Sequence, residues 1–152
     1  MPTIIAAERP DTAEARALIF ELDSYLEGLY PAESRHGFSI EKLLQDQVAF
    51  FVTRQDGSPA GCGGIKLFGT EYGEVKRMYV RPQFRGLGLA KLMLERLAGY
   101  ARENGVKLLR LETGIHQLEA IGLYELNGYK SIPPFGEYRE DPLSMFYQKE
   151  IQ

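Results

Sequence analysis

The sequence contains a single cysteine, Cys62, among its 152 residues. One cysteine excludes an internal disulfide and any zinc site built from a cysteine cluster. No apolar run approaches the roughly 20 residues that a membrane-spanning helix needs, so the membrane is not an expected partner. The N-terminal segment also lacks a basic region followed by an apolar core. We therefore expect no signal peptide and a cytoplasmic protein.

An excess of charge of one sign is also missing. The chain has 18 Lys and Arg against 21 Asp and Glu, which gives a net charge of −3. A general nucleic-acid binder usually carries a basic excess, so nucleic acid is not an expected partner. The hydrophobic share of 44% and the charged share of 26% are typical of globular proteins. At roughly 150 residues per domain, the length predicts one domain over residues 1–152.

Hydrophobic periodicity and turn signals predict the order of strands and helices. A first strand at Thr3–Ala7 precedes a helix that begins with a capping box of Asp11 and Glu14. Further strands are predicted at 48–53, 61–68, 73–80, 108–112, 129–132 and 143–149, and further helices at 39–44, after Pro82 and at 118–127. The three strands between 48 and 80 are joined too tightly for parallel pairing, so we expect an antiparallel meander. The order predicts a mixed α+β fold.

A glycine-bearing turn joins the strand that ends at Val80 to the helix that begins near Leu89. Gly86 and Gly88 carry no Cβ, so the backbone there can turn tightly and approach a ligand. The first N–H groups of a helix lack intrahelical partners and suit a pyrophosphate. The dinucleotide pattern is incomplete, because Lys91 stands at the place of its third glycine. Taken alone, these residues leave a phosphate site and a plain turn with a helix start equally open.

Two segments resemble the GNAT N-acetyltransferase family. Gln83–Ala90 has the form Gln/Arg-x-x-Gly-x-Gly/Ala of its coenzyme A loop, and Ala120–Tyr129 is similar to its Ala-x-x-Leu-Tyr-Glu-x-x-Gly-Phe/Tyr block. The element order resembles the GNAT fold along the whole chain: a twisted, mostly antiparallel sheet of six or seven strands flanked by about four helices. Leu29–Ser34 and Glu74–Tyr79 also resemble a bacterial subgroup in which some members are labelled indole-acetic-acid acetyltransferases.

The resemblance implies an enzyme that uses acetyl-CoA as co-substrate and no metal. In the family, the strand before the loop holds the pantetheine arm and the helix start holds the pyrophosphate. The N–H near Met78 would then stabilise the oxyanion. Gln117 aligns with a common asparagine, and its longer side chain changes the geometry of that contact. The cofactor-binding residues implied are Met78, Tyr79, Val80, Arg85, Gly86, Leu87, Gly88, Leu89, Ala90, Gln117 and Tyr124.

Two residues are implied as catalytic. Tyr124 matches the tyrosine that protonates the departing thiolate in many family members, and a phenol with a pKa near 10 is protonated at neutral pH. Taken by itself, a packed aromatic role for Tyr124 is the simpler interpretation. Glu74, on the strand where several members place their base, is the first candidate for general base and Glu112 the second. Either carboxylate is also compatible with a salt bridge on the strand face.

The acceptor pocket is assigned by position, and its mixture of acids and arginines does not decide between a cationic amine and a substrate with a carboxylate. His36 is a candidate because an unperturbed histidine has a pKa near 6.5, although a solvated loop histidine is the simpler interpretation. Cys62 is predicted to be a small core residue, and the glycines around it to mark close packing or a bulge. The candidates are Tyr30, Glu33, Arg35, His36, Arg77, Glu112 and residues 135–141.

The predicted function is transfer of the acetyl group of acetyl-CoA to a primary amine of a small molecule or peptide. The mechanism implied is direct attack in a ternary complex, which makes the step effectively unimolecular. One alternative is a GNAT-fold sensor that binds acyl-CoA without turnover. Another is an acyltransferase with a non-amine acceptor or a longer acyl donor. The resemblance also allows a homodimer.

Overall fold

A computed structural model describes residues 2–35 and 38–152 of the chain. Its strands are β1 (Thr3–Ala7), β2 (Ala49–Gln55), β3 (Ser58–Phe68), β4 (Tyr72–Val80), β5 (Leu108–Gly114), β6 (Lys130–Ile132) and β7 (Ser144–Glu150). Its helices are α1 (Ala13–Glu27), α2 (Ile40–Gln45), α3 (Leu89–Glu103) and α4 (Leu118–Leu126). Short 3-10 turns lie at Ala32–Ser34 and Pro82–Phe84. No helix within the described ranges combines the length and the apolar character needed to cross a membrane.

All the strands join one seven-stranded sheet in the order β1-β2-β3-β4-β5-β7-β6. The pairs are antiparallel except for β4 and β5, which run parallel. This topology confirms the predicted mixed α+β fold and the predicted meander of β2, β3 and β4. One domain over residues 1–152 stays a prediction.

Helices cover both faces of the sheet. Successive strand residues point to opposite faces, so a strand that is apolar along its length supplies side chains to both helix layers. On β2, Phe51 packs into the core formed with α3 and α4, whereas its neighbours Phe50 and Val52 pack into the core formed with α1 and α2. The alternating side chains of this one short strand therefore contribute to both hydrophobic cores. The sheet is buried between the two helix layers, so its central strands line any cleft that opens between a helix and the sheet.

The start of α1 differs from its prediction. The hydroxyl of Thr12 accepts a hydrogen bond from the N–H of Ala15 at 3.2 Å, so Thr12 is the N-cap. The Asp11 carboxylate instead accepts two hydrogen bonds from the Arg9 guanidinium, at 3.0 and 2.8 Å. The predicted capping box of Asp11 and Glu14 is therefore wrong. The reason is local competition: an arginine two residues away binds the carboxylate that would otherwise cap the helix.

The parallel strands β4 and β5 separate along their length. They pair only at Gly73 with Leu109 and at Glu74 with Arg110. From there β4 continues to Val80 and β5 to Gly114 with no further register between them. The strands therefore diverge towards their C-terminal ends, and backbone N–H and C=O groups face the gap without a ladder partner. This gap positions the candidate site.

A bulge in β4 lies beside the gap. Arg77 and Met78 together stand opposite one residue of β3, Gly63, and Arg77 has a φ of +57°. A bulge of this kind re-aims the residues that follow it. The Cys62 thiol donates a hydrogen bond to the Arg77 carbonyl oxygen at 3.3 Å. A Cβ at Gly63 would lie 2.7 Å from Met93 Cγ, so this glycine makes room for the side chains beneath the bulge, as predicted.

Candidate active site

Two connected clefts open where β4 and β5 diverge. The first, which we call the loop cleft, has a volume of about 470 Å³ and lies between the end of β4, the start of α3 and the start of α4. The second, the inner cavity, has a volume of about 80 Å³ and lies between the end of α1, β4 and β5. Four residues line both clefts: Leu22, Met78, Gln117 and Tyr124. A group bound in one cleft would meet a group bound in the other at these residues.

The turn before α3 presents main-chain donors to the loop cleft. Gly88 is the N-cap of α3, with a φ of +76° and no side-chain cap, and Gly86 has a φ of +84°. The N–H of Leu92 makes the first hydrogen bond along the helix, to the Gly88 carbonyl, at 3.1 Å. The N–H groups just before Leu92 therefore lack intrahelical partners. A Cβ added at either glycine would meet nothing within 4 Å, so there is space for a side chain. The reason for glycine at these two positions is therefore the positive φ, which other residues rarely adopt.

Most of the residues predicted to bind the cofactor do line the loop cleft. Leu87 is the exception: its side chain is 57% exposed and lies outside the cleft lining. The Arg85 guanidinium folds back and donates through Nε to the Val80 carbonyl oxygen at 3.1 Å. The predicted residues that line the cleft are Met78, Tyr79, Val80, Arg85, Gly86, Gly88, Leu89, Ala90, Gln117 and Tyr124.

Gln117 is fixed in the turn between β5 and α4. Its amide oxygen accepts a hydrogen bond from the Gly114 N–H at 3.0 Å. Tyr30 braces the same turn, since its hydroxyl accepts from the His116 N–H at 3.0 Å and its ring stacks on His116 at 5.5 Å between centroids. A Cβ at Gly114 would lie 2.0 Å from the Tyr30 hydroxyl oxygen. Tyr30 therefore closes the end of α1 onto the segment that carries Gln117.

Tyr124 lies on α4 at the junction of the two clefts. It is 6% exposed, and its ring packs edge-on against Tyr129 with centroids 5.6 Å apart. Burial raises the pKa of Tyr124, and the nearby negative charge of Glu112 raises it further. Within residues 2–35 and 38–152, the Tyr124 hydroxyl has no hydrogen-bond partner. The junction therefore holds a protonated phenol whose proton is not committed to another described group.

Glu74 lines the inner cavity and is held in place. It is 4% exposed, and its Oε2 accepts hydrogen bonds from Lys76 Nζ at 3.0 Å and from the Tyr138 hydroxyl at 2.5 Å. Burial lowers the pKa of Lys76, against the opposing effect of the Glu74 charge. The Lys76 ammonium also lies 3.8 Å from the centroid of the Phe38 ring. Tyr138 falls within the predicted 135–141 segment.

Lys76 is a site residue that the sequence analysis missed. A signal for it was present, because residues two apart on a strand face the same side. The pattern Glu74-x-Lys76 on a predicted strand therefore already indicated an adjacent charge pair. Its burial was not indicated, since that depends on Phe38 and Tyr138, which come from other parts of the chain.

The acceptor-pocket candidates divide into three groups. Those that line the inner cavity are Tyr30, Arg35, Arg77 and Glu112. Glu33 is exposed and lies outside the lining, where its neighbour Ser34 is found instead. His36 lies outside the described residues. Glu112 accepts a hydrogen bond from the Ser144 hydroxyl at 2.8 Å, which ties the end of β5 to β7.

Comparison with known proteins agrees with this geometry. Residues 15–129 match the acetyltransferase (GNAT) family. The chain belongs to the GNAT family. A relative from Azospirillum brasilense named IAA acetyltransferase is 44% identical over 154 residues, covering 99% of this chain and 100% of that protein. Membership of this family of acetyltransferases makes the chain an acyltransferase and confirms the predicted family and enzyme class.

Solved structures of GNAT proteins share the fold. A crystal structure from Klebsiella pneumoniae, described as that of an acyl-CoA N-acyltransferase, has a TM-score of 0.84 and 38% identity, covering 99% of this chain and 98% of that chain. The PaiA N-acetyltransferase of Thermoplasma acidophilum, solved in complex with coenzyme A, has a TM-score of 0.79 and 20% identity, covering 99% of each chain. The predicted fold is therefore confirmed.

Proposed function

We propose that this GNAT protein transfers the acetyl group of acetyl-CoA to a primary amine by direct attack in a ternary complex. The observation that carries the proposal is the junction of the two clefts at Met78, Gln117 and Tyr124. A donor in the loop cleft and an acceptor in the inner cavity would meet there with their reacting groups side by side. Such positioning replaces a bimolecular encounter with an effectively unimolecular step.

The loop cleft fits coenzyme A. The N–H groups at the start of α3 suit a diphosphate, and Lys91 in the lining adds a positive charge. The gap between β4 and β5 offers unpaired main-chain groups to the amide-bearing pantetheine arm. The Thermoplasma acidophilum protein of the same fold was solved with coenzyme A. These features support acetyl-CoA as the co-substrate, whose thioester supplies the acetyl carbon that the amine attacks.

Met78 is proposed to stabilise charge on the acetyl oxygen through its main-chain N–H. The Cys62 thiol holds the carbonyl oxygen of the preceding residue, Arg77. Across a trans peptide bond the C=O and N–H groups point in opposite directions. The Met78 N–H is therefore directed away from Cys62, which supports its use by a ligand at the junction. Donors fixed in this way need no reorganisation during the reaction.

Proton transfer is assigned to side chains at the junction and in the inner cavity. As the bond from the amine nitrogen to the acetyl carbon forms and the carbon–sulfur bond breaks, Tyr124 gives its proton to the sulfur. Glu74, fixed by Lys76 and Tyr138, takes the proton released by the amine, directly or through water. Glu112 is the second candidate for this base. Comparing Glu74→Gln with Glu112→Gln separates them, because the variant of the true base loses more turnover at saturating acceptor.

The test of the proposal is turnover on a panel of primary amines, followed as release of coenzyme A. We expect release that depends on both acetyl-CoA and an amine, and no stable label on protein incubated with radiolabelled acetyl-CoA alone. Stable label would contradict direct attack. Coenzyme A binding without release on any amine would favour the sensor alternative. Faster reaction with propionyl- or succinyl-CoA would favour a longer acyl donor.

A further inference from the structure

Two arginines in the inner cavity carry hydrogen-bond donors that are buried and unused. Within the described parts of the chain, the buried side-chain polar atoms that lack a partner are Nε of Arg35 and Nε of Arg77. Both arginines line the inner cavity. Native proteins pair nearly all buried polar groups, so two orphan donors on arginines that line one cavity call for an explanation.

The existing acidic partners of these arginines use other nitrogens. Asp23 on α1 contacts Nη2 of Arg77, whose side chain is almost completely buried. Glu27 lies 3.5 Å from Nη1 of Arg35. A guanidinium only donates, and its planar fork of N–H groups matches the two oxygens of a carboxylate. The unpartnered Nε–H of each arginine is therefore suited to an anionic ligand group and not to a cationic one.

The same cavity also presents carboxylates. Glu74 and Glu112 line it, and Lys76, its third cationic residue, is already paired with Glu74. Glu112 lies near the C-terminal end of β5, where the chain turns towards Gln117 at the junction of the clefts. A ligand with charge of only one sign would place that charge against cavity side chains of the same sign. A ligand with both an ammonium and a carboxylate would suit both sets.

We propose that the acceptor is an amino acid or a closely related small zwitterion. Its carboxylate binds the Nε edges of Arg35 and Arg77, and its amine lies at the Glu112 side, facing Tyr124. The inference rests on the proposed acetyl transfer and names the substrate class of the same site. It makes Arg35 and Arg77 specificity residues that bind the acceptor and do not touch the thioester.

Matched acceptors test the assignment. Each amino acid in a panel is compared with its carboxamide and with the amine that lacks the carboxyl group. A charge-assisted hydrogen bond made only by the carboxylate predicts a kcat/KM advantage of about 10-fold or more for the amino acid. In Arg35→Gln we expect this advantage to fall to about one, through a higher KM for the amino acid alone. Arg77→Lys, which keeps the charge but loses the fork, is expected to lose most of it.

Arg102→Gln is the matched control. Arg102 lies in the last turn of α3, is exposed and lines neither cleft, so this variant removes one positive charge without changing the acceptor preference. Equal kcat/KM for amino acids and their carboxamides in the unaltered enzyme would overturn the inference and leave acetyl transfer intact.

A binding experiment decides the matter if no amine is acetylated, a result that would count against the proposed function itself. N-acetyl amino acids and their carboxamides are titrated into the coenzyme A-loaded protein by calorimetry. Tighter binding of the acid, lost in Arg35→Gln, would support the carboxylate site without any turnover. Equal binding of acid and carboxamide, or no binding of either, would overturn it.

Discussion

At the scale of single residues, Tyr124 differs from Tyr138 and Tyr147 in the use of its hydroxyl. Tyr147 donates to Glu125 Oε2 at 2.9 Å and Tyr138 donates to Glu74. The hydroxyl of Tyr124 has no such partner within the described residues, and Tyr124 lines both clefts. A proton donor for the sulfur needs a hydroxyl that is not already committed to another acceptor. This difference supports assigning the general acid to Tyr124 over the other two.

Replacing Tyr124 by Phe keeps the packed ring and removes the proton. We expect kcat to fall by about 10²-fold, the lower end of the range for general acid catalysis, with little change in the Kd for coenzyme A. The matched control is Tyr129→Phe, because Tyr129 is equally buried but lines neither cleft. Steady-state kinetics and calorimetry check both variants. Unchanged turnover in Tyr124→Phe would remove this residue from its role.

The burial of Tyr124 predicts the direction in which kcat depends on pH. Burial raises the pKa of Tyr124 above its ordinary value, so the phenol stays protonated as the pH rises. Any loss of kcat caused by its deprotonation should begin only above about pH 10. The measurement is the pH profile of kcat, with Tyr124→Phe as the reference. A Tyr124-dependent loss below pH 9 would contradict the assignment.

Cys62 is predicted to be unreactive in the folded protein. Burial raises the pKa of its thiol to about 12, and its Sγ donates to the Arg77 carbonyl oxygen. We expect no reaction with a thiol reagent at about pH 8, and one equivalent in denaturant, because only the thiolate is nucleophilic. Since the folded-state pKa is the higher one, this group stabilises the fold below about pH 9, and its contribution is lost as the pH rises towards 12. Rapid labelling of the native protein would contradict this prediction.

At the scale of elements, the turn into α3 is the proposed phosphate site. Gly86→Glu places a carboxylate and a side chain at a φ of +84°, in front of the helix N–H groups. We expect coenzyme A affinity to fall about 100-fold or more, because like-charge juxtaposition costs several kcal/mol. Gly99→Glu is the control, since Gly99 lies in the same helix with open space around it. Titration calorimetry measures the affinity of each variant for coenzyme A. An equal loss of affinity in the two variants would refute a local phosphate site.

The close approach of β3 to the end of β4 depends on Gly61. A Cβ there would lie 2.5 Å from the Tyr79 carbonyl oxygen, and a backbone atom cannot move aside cheaply. We expect Gly61→Ala to destabilise the fold by about 1–3 kcal/mol through overpacking. Gly122→Ala in α4, with open space, should instead stabilise by about 0.5–1 kcal/mol. Urea unfolding of both variants checks these signs, and a neutral Gly61→Ala would contradict the packing argument.

At the scale of the whole molecule, the clefts lie between elements that are distant in sequence. Coenzyme A in the loop cleft would contact β4, the turn into α3 and α4 together, and would therefore stabilise the folded state over the unfolded chain. At 100 times its Kd we expect the free energy of unfolding to rise by about 2.7 kcal/mol. For a chain of this size that corresponds to a Tm increase of roughly 5–11 °C.

Calorimetric scans with and without coenzyme A measure this increase. Gly86→Glu should remove most of the shift while Gly99→Glu keeps it, which separates specific binding from a general effect of the added ligand. No shift in the unaltered protein at saturating coenzyme A would count against the loop cleft as its site. Assembly as a homodimer stays a prediction at this scale.

The sequence by itself determined the features that are encoded within a few residues. The order of strands and helices followed from hydrophobic periodicity, and the turn before α3 followed from Gly86 and Gly88 between a strand and an amphipathic helix. These signals are local, because turn conformation and strand alternation depend on near neighbours. The start of α1 shows the limit of such reasoning, since Arg9 and Thr12 changed which side chain caps the helix.

Only the tertiary structure decided where the strands separate and which charges end up together. β4 and β5 stop pairing after Glu74 and Arg110, and the resulting gap brings Met78 and Tyr124 to one junction. The burial of Lys76 and the orphan nitrogens of the cavity arginines likewise depend on side chains contributed by distant elements. A spacing pattern tells which face a residue occupies, but desolvation and the lack of a partner are set by everything that packs around it.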